Sequence, residues 1–256
     1  MSTPRLITLS ALLVCLASPG LRAESPVVPD WALPGSKNHK QVPPPAGFQR
    51  PTVTFDVPLG IFEGQSDVGG PLLPGSASYD PATQAYTISS ASYNIWYFRD
   101  EFRYLWKKMS GDVSLAADVA FPNPEGYDDR KAVLVIRQDL EDNAREIMTA
   151  LHGGGLIHLA YRPEKGADLK EACRIDTPGQ RGPATGVRIG IEKRGSSVAL
   201  YFSYHGEAMH RVGPPVKLAF DGPCYVGLGF CSHVPDQTDT TILANVVLEN
   251  AAGRVK

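Results

Sequence analysis

The chain has 256 residues, of which 43% are hydrophobic and 20% are charged, and its formal net charge is −2 at neutral pH. This composition is typical of a globular protein, and it offers no excess of basic residues to attract a phosphate backbone. We therefore expect a folded domain and no nucleic-acid partner.

The first 23 residues have the layout of a secretory signal peptide. The basic residue Arg5 precedes an apolar run over residues 6–16, and small or helix-breaking residues follow up to Ala23. The run is shorter than the ~20 residues that a membrane-spanning helix needs. We predict cleavage after Ala23, no transmembrane segment afterwards, and a secreted or periplasmic location. A lipid anchor on Cys15 is disfavoured, because Val14 stands where lipoprotein signals have a small residue.

Residues 24–51 form a proline-rich segment ahead of the main domain. It contains seven prolines and little apolar periodicity, which favours an extended chain. We expect a tether, which Trp31 and Phe48 could still dock loosely against the domain. The domain itself is predicted to occupy residues 52–256.

β-strands dominate the predicted structure from residue 52 onward. Runs rich in Val, Ile, Tyr and Phe are broken by Gly, Pro, Asn and Asp about every eight to twelve residues, as in a β-sandwich. The clearest alternation of apolar and polar residues lies in residues 113–121. Residues 187–192 and 198–204 alternate in the same way on either side of a turn at Gly195, which predicts a hairpin.

Several further runs also have strand character. They are residues 85–90, 102–107, 131–139, 145–151, 155–162, 225–232 and 240–249. Only residues 140–145 and a few near Ala167 favour a helix, and neither run is long enough to hold one. Because two packed antiparallel sheets leave few exposed strand edges, the predicted fold is an all-β jelly-roll sandwich.

Four short motifs follow one another along the predicted domain. They comprise residues 67–69 with 75–80, residues 95–102, residues 134–140 with 152–156, and residues 225–233. Their order and spacing resemble the concanavalin A-like lectin/glucanase superfamily. Within it, they resemble an uncharacterised bacterial jelly-roll family often found beside Tol-type propeller repeats.

The resemblance implies a concanavalin A-like sandwich whose concave sheet often holds carbohydrate in relatives, and it implies no general activity. Members commonly have an aspartate pair before the valine of the last strand, where this chain has Ala244 and Asn245. Calcium-dependent relatives use a late acidic residue as an oxygen ligand. This departure weakens a borrowed calcium site, and we predict no metal and no other cofactor.

Signatures of the familiar catalytic classes are absent from the chain. A glucanase of this superfamily places carboxylates at alternate positions of one strand, about 5 to 5.5 Å apart, and no such segment occurs here. GxSxG, HExxH, GxGxxG and P-loop motifs are also missing. Cys173, Cys224 and Cys231 lack CxxC spacing, which leaves at most one internal disulfide and disfavours a zinc site.

Arg137 and Asp139 are the first candidate ligand-binding residues. They lie two residues apart, so they are expected on one face at the end of an apolar strand. One interpretation is an ion pair between them that closes the strand end. The other is that the planar guanidinium of Arg137 binds a sugar hydroxyl or carboxylate.

His152 and Trp96 are the next candidates. His152 precedes glycines 153–155, and His158 follows in the next strand, which indicates either a hairpin loop or a close backbone approach to a ligand. A metal bound by the two histidines would need a third ligand that the sequence does not identify. Trp96 belongs to the densest aromatic cluster, and we expect either it or Tyr97 to face outward and stack on a sugar ring.

Arg188, Glu192 and Tyr201 complete the candidates. Arg188 and Glu192 share the polar face of one predicted strand, and Tyr201 is expected beside them on the next. The three residues predict either an ordinary cross-strand pairing or an extension of the groove that Arg137 would line.

Three hypotheses follow from these candidates. The first is an exported module that binds a carbohydrate or glycan-like ligand on its concave sheet. The second is a glycoside hydrolase or lyase with an unrecognised site that uses Glu192 or Asp139 as the acid. The third is a structural envelope protein without a small ligand.

Overall fold

The computed structural model describes residues 28–177, 182–204 and 206–255, without the side chains of residues 182–185. The predicted signal peptide and the first residues of the proline-rich segment lie outside these ranges. Within them, the regular secondary structure is almost entirely β, apart from two single-turn 3-10 helices at Asp30–Ala32 and Ala46–Phe48. None of the described helices is long and apolar enough to cross a membrane.

Strands follow one another along the whole described domain. They are β1 Val53–Phe55, β2 Gly64–Val68, β3 Leu73–Asp80, β4 Ala85–Ala91, β5 Ile95–Trp96, β6 Arg99–Asp100, β7 Phe102–Met109, β8 Val113–Phe121, β9 Lys131–Arg137, β10 Glu146–His152, β11 Leu156–Arg162, β12 Lys170–Asp176, β13 Gly182–Arg194, β14 Ser197–Tyr204, β15 His210–Lys217, β16 Cys224–Cys231 and β17 Asp239–Glu249. Each strand that the alternation predicts is present, with ends that differ by a few residues.

Two large antiparallel sheets form the sandwich. The eight-stranded sheet has the order β1-β2-β7-β16-β9-β10-β11-β12, and the seven-stranded sheet has the order β15-β14-β13-β8-β17-β4-β3. The predicted hairpin is β13–β14, in register from Val187 opposite Tyr204 to Arg194 opposite Ser197. The predicted all-β jelly-roll sandwich is therefore confirmed.

The main core lies between the two sheets. Leu115 and Ile189 from the seven-stranded sheet and Leu134 and Leu228 from the eight-stranded sheet are fully buried there. These side chains occupy alternate positions of their strands, which is the period that places one face of each sheet inside.

A second apolar cluster covers the outer face of the eight-stranded sheet. Val133 and Val135 of β9 point into it, beside Phe102, Tyr104 and Ile95. The β5–β6 hairpin crosses this face, so every residue of β9 is buried. This second layer explains why β9 is continuously apolar instead of alternating.

A buried ion network pins the hairpin to the sheet. Glu146 on β10 lies between Arg137 on β9 and Arg162 on β11, and all three side chains are fully buried. Asp100 of the hairpin is equally buried and accepts hydrogen bonds from Arg137 Nη1 (2.7 Å) and Arg162 Nη2 (2.7 Å). A charge removed from water requires such partners, so the network fixes where the hairpin lies.

The described part of the proline-rich segment packs against the domain. Trp31 and Phe48 have ring centroids 5.3 Å apart, and both contact the ring of Tyr93. Phe48 is 9% exposed, and Arg50 Nη2 donates a 2.7 Å hydrogen bond to Glu101. These contacts are closer than the loose docking expected of a tether.

Candidate functional site

A pocket of about 140 Å³ opens on the outer face of the eight-stranded sheet, beside the β5–β6 hairpin. We call it the histidine pocket. The residues that define it are Trp96, Lys131, His152, His158, Glu171 and His233.

The register of the neighbouring strands β9, β10 and β11 brings the basic residues of the pocket together. Lys131 of β9 lies directly opposite His152 of β10, and His158 of β11 lies opposite Ala150 of β10. Since side chains two apart share a face, these positions belong to the same outer face as Val133.

The predicted glycine loop connects β10 to β11 and allows a close approach. A Cβ on Gly153 would lie 2.7 Å from Nε of Arg130. Arg130 is itself buried and donates a hydrogen bond to Asp239. The space that the missing side chain of Gly153 leaves is therefore occupied by Arg130 of the same chain, and not by a ligand.

The two candidate histidines face each other. Nε2 of His152 lies 3.4 Å from Nε2 of His158, and the ring planes are 79° apart. Nδ1 of His158 lies 3.2 Å from a carboxylate oxygen of Glu171. Nδ1 of His152 lies 3.9 Å from a carboxylate oxygen of Asp129, which is too far for a hydrogen bond. His158 thus has one carboxylate partner and one histidine partner, whereas Nδ1 of His152 has no hydrogen-bond partner within the described residues.

Burial keeps the imidazoles of the pocket neutral. It lowers the pKa of His152 to about 4 and that of His233 to about 3. It also lowers the pKa of His158 well below the usual value. Near neutral pH each ring therefore has one N–H donor and one nitrogen acceptor.

His233 contributes hydrogen-bonding capacity that the described residues do not use. It is 2% exposed, and neither of its ring nitrogens has a hydrogen-bond partner within the described ranges. Its ring lies against those of Tyr93 and Tyr127, with centroid distances of 6.3 and 5.4 Å. A buried polar group without a partner costs about 1 to 3 kcal/mol, so a ligand that satisfied it would gain that contact.

Lys131 is the cation of the pocket. It is 3% exposed, and its Nζ donates a 2.8 Å hydrogen bond to Asn94 Oδ1. Burial lowers the pKa of Lys131. Asp129 and Glu171 also line the pocket. Two carboxylates therefore face one ammonium group.

Trp96 supplies the aromatic face of the pocket. Its ring stacks on that of His158, with centroids 5.7 Å apart and planes 14° apart. Of the predicted aromatic cluster, Phe102, Tyr104 and Trp106 are buried, whereas Trp96 and Tyr97 are partly exposed. The hairpin that the ion network holds down therefore carries the candidate stacking residue.

The structure does not join Arg137 and Asp139 as an ion pair. Arg137 binds Asp100 and Glu146, whereas Asp139 lies beyond the end of β9 and binds Lys165 Nζ at 3.1 Å. The expected pairing is wrong because the strand ends at Arg137, so the two residues do not share a strand face. Fully buried, Arg137 belongs to the network beneath the hairpin.

Arg188, Glu192 and Tyr201 lie on the other sheet. Tyr201 of β14 is directly opposite Gly190 of β13, between Arg188 and Glu192, so the three are neighbours as expected. They occupy the seven-stranded sheet, whereas Trp96 and His152 line a pocket on the eight-stranded sheet. The alternative that these three residues extend a groove lined by Arg137 is therefore wrong, because alternation along a strand does not identify its sheet.

Arg188 and Glu192 have hydrogen-bond partners within the chain. Arg188 donates hydrogen bonds to Asp118 Oδ1 (2.8 Å) and to the carbonyl of Asn245 (3.1 Å). Glu192 accepts a hydrogen bond from the backbone of Gly253. Burial is the largest of the effects that raise the pKa of Tyr201, and Glu192 adds to it.

Lys131, Asp129, Glu171 and His233 line the pocket but were not among the candidate residues predicted from the sequence. One signal was present, namely a charged residue at the start of the apolar run of β9. Nothing local connects that lysine to the loop of His233 or to β12. No group of three or more His, Cys, Asp or Glu side chains in the described residues is arranged to hold a metal ion.

Comparisons with known proteins support the fold. No protein-family model and no curated protein matches the sequence. A functionally unknown protein from Saccharomyces cerevisiae aligns with a TM-score of 0.52 at 11% identity, covering 70% of this chain and 93% of that chain.

Two further solved structures align less closely. The carbohydrate binding module CBM66 from Bacillus subtilis has a TM-score of 0.47 at 14% identity, covering 69% of this chain and 92% of that chain. An alginate lyase from Klebsiella pneumoniae has a TM-score of 0.44 at 12% identity, covering 70% and 85%. At such identities the likeness concerns the fold alone, and the resemblance to one bacterial family stays a prediction.

Proposed function

We propose that this protein is an exported carbohydrate-binding module whose histidine pocket takes a neutral sugar residue. The observation that carries the proposal is one partly exposed tryptophan ring beside three buried, neutral imidazoles in a single recess. The signal-peptide layout of residues 1–23 supports export.

The Trp96 ring supports the sugar as ligand. A sugar ring has apolar C–H faces, and aromatic faces pack on them while the hydroxyl groups remain free to hydrogen-bond. The indole ring is held on one side by His158, at a centroid distance of 5.7 Å. This prior ordering reduces the side-chain entropy that binding would otherwise cost.

The neutral histidines of the pocket are suited to hydrogen-bond with the hydroxyl groups of a sugar. A hydroxyl both donates and accepts hydrogen bonds, and so does a neutral imidazole. His233 has both ring nitrogens available within the described residues. Lys131 Nζ donates hydrogen bonds to Asn94 Oδ1 at 2.8 Å and to the carbonyl of Ile95 at 3.4 Å, and its third N–H suits a hydroxyl oxygen.

The charges of the pocket favour a neutral ligand over an acidic one. Asp129 and Glu171 carry two negative charges against the single positive charge of Lys131. A uronate would bring a third carboxylate into a recess that already has an excess of them. We therefore expect neutral sugars to bind and uronates to bind less tightly.

The proposal includes no catalysis. Asp139 and Glu192, the two carboxylates considered as acids, lie outside the pocket, and each is bound to a group of this chain. A binding site needs the recess and its hydrogen bonds, and both are present.

A glycan array with neutral and uronate-containing saccharides tests the proposal. The full chain should retain neutral glycans, and titration calorimetry on the best ligand should then give its affinity. Trp96→Ala should weaken that affinity about tenfold, because about 1.5 kcal/mol of aromatic contact corresponds to that factor.

Tyr201→Ala is the matched control, since Tyr201 is a partly exposed aromatic residue on the other sheet. Its affinity should equal that of the unmodified protein. Binding that survives Trp96→Ala but disappears in Tyr201→Ala would move the site to the seven-stranded sheet. An array without any bound glycan would refute the proposal.

A further inference from the structure

We propose that residues 33–45 form a strap that closes the histidine pocket over its ligand, that Gln41 holds the strap in place, and that a bound sugar keeps it closed. The inference rests on the proposed function, because it assigns a conformational step to the same site. Closing of the strap can be measured without any ligand, so the two proposals are tested separately.

Buried apolar residues fix both ends of the strap to the domain. Ala32, just before the strap, is fully buried, and Phe48, shortly after it, is 9% exposed. Both residues belong to one apolar cluster with Tyr93. The strap therefore stays beside the pocket whether it is open or closed.

Hydrogen bonds hold the middle of the strap over the pocket. Gln41 Nε2 donates a 2.7 Å hydrogen bond to Asp129 Oδ2, and the backbone N–H of Val42 donates a 3.2 Å hydrogen bond to Tyr93 Oη. The Tyr93 hydroxyl donates in turn to the carbonyl of Val42. Gln41 itself is exposed. A single hydrogen bond contributes little to stability, so this part of the strap can lift from the pocket while the sheets stay folded.

The strap also forms part of the pocket wall. Gln41 lines the pocket together with Asp129 and His233. A second strap residue, His39, lies close to His233: burial lowers the pKa of His233 most, and Lys131 and His39 are among the neighbours that add to this effect. Opening of the strap would therefore give water access to the end of the pocket that contains His233.

Closing of the strap without a ligand leaves polar atoms without partners. Both ring nitrogens of His39 and both of His233 are buried and have no hydrogen-bond partner within the described ranges. Such atoms destabilise the closed, empty pocket, because water no longer reaches them. A ligand with hydroxyl groups supplies partners to His233, so it stabilises the closed state more than the open one. This difference in affinity is what shifts the equilibrium towards closure.

Carbethoxylation of histidine rings by diethyl pyrocarbonate, mapped by mass spectrometry on the full chain, tests the strap without any sugar. His39 should react much more slowly than His210, whose side chain is 56% exposed. Gln41→Ala should accelerate the reaction of His39 about tenfold, the factor that loss of one hydrogen bond to a carboxylate implies. Gln138→Ala is the matched control and should change nothing, since Gln138 donates its hydrogen bond to the carbonyl of Asp221, outside the pocket.

A second arm adds the neutral glycan that the array retains best. At about 100 times its dissociation constant, a ligand that binds only the closed state should slow the reaction of His39 about 100-fold. The rate for His210 should stay the same, which shows that the glycan does not consume the reagent. Circular dichroism of each variant shows whether its sheets are intact.

Three results would overturn the inference. The first is equal reaction rates for His39 and His210 in the unmodified protein, and the second is an unchanged rate for His39 in Gln41→Ala. The third is a glycan that binds in titration calorimetry but leaves the rate for His39 unchanged. An array without ligands refutes the proposed function and with it the role of the sugar, whereas the arm without sugar still decides whether the strap closes.

Discussion

Replacing Asp100 with alanine should test whether the buried ion network holds the hairpin that carries Trp96. Asp100 accepts three hydrogen bonds, from Arg137 Nη1 at 2.7 Å and from Arg162 Nη1 and Nη2 at 2.8 and 2.7 Å. Burial by itself raises the pKa of Asp100, but the guanidinium groups of Arg162 and Arg137 outweigh it and hold the pKa below its usual range. The carboxylate is therefore ionised, and its loss leaves two buried cations with less counter-charge.

The structure sets the expected magnitude. Removing one partner of a buried ion pair typically costs about 3 to 5 kcal/mol, because the remaining charge stays away from water. Glu146 supplies partial compensation, since burial raises its pKa to about 7 and the variant should ionise it more fully. We expect Asp100→Ala to lower the free energy of unfolding by about 3 kcal/mol, the lower end of that range.

Urea unfolding followed by fluorescence measures this change, with the slope compared between variants to check that the same surface is exposed. Asp139→Ala is the control, because Asp139 is a partly exposed acidic residue and surface substitutions usually change stability by less than about 0.5 kcal/mol. Glycan affinity should also fall in Asp100→Ala as the hairpin loosens. Equal stabilities for Asp100→Ala and Asp139→Ala would refute the reasoning.

Three further predictions concern other parts of the chain. Burial raises the pKa of Glu101 to about 7, above its value of 4.5 when unfolded, so stability should fall as pH rises from about 4.5 to 7. Relative to Glu101→Gln, the unmodified protein should lose about 3 kcal/mol over that window in urea unfolding, and parallel pH profiles would contradict this. Phe48→Ala should cost about 3 kcal/mol and expose the segment around Trp31 to limited proteolysis, whereas an unchanged digest would count against the packing described. Burial raises the pKa of the Cys231 thiol to about 11, so mass spectrometry after brief alkylation at pH 8 should find label on half-buried Cys173 and none on Cys231.

Strands with a clear local pattern were predictable from the sequence, and strands whose stability depends on distant partners were not. β2 is buried although it reads Gly-Gln-Ser-Asp-Val, because Arg103 of β7 donates hydrogen bonds to its Gln65 and Asp67. β12 and β15 lie at sheet edges, where exposed charges and Pro214 with Pro215 are tolerated. Polar, charged and proline residues of this kind do not predict a strand from sequence alone, because their place in the sheet depends on the neighbouring strand.

The candidate site shows the same division. His152 and Trp96 were selected from sequence, and both line the histidine pocket. Lys131, Glu171 and His233 come from β9, β12 and the loop after β16, which are far apart in the chain. Arg137 was selected for its charge, and only the three-dimensional structure shows Asp100 and Glu146 as its partners.

By itself, the sequence determined the all-β class, the main strands and which side chains share a face, because these follow from the period of two along a single strand. The tertiary structure decided which strands belong to the same sheet. It also decided that the β5–β6 hairpin covers part of the outer face of the eight-stranded sheet. It also decided which side chains meet in one pocket. These outcomes depend on pairing between segments far apart in the chain, and no local pattern encodes that pairing.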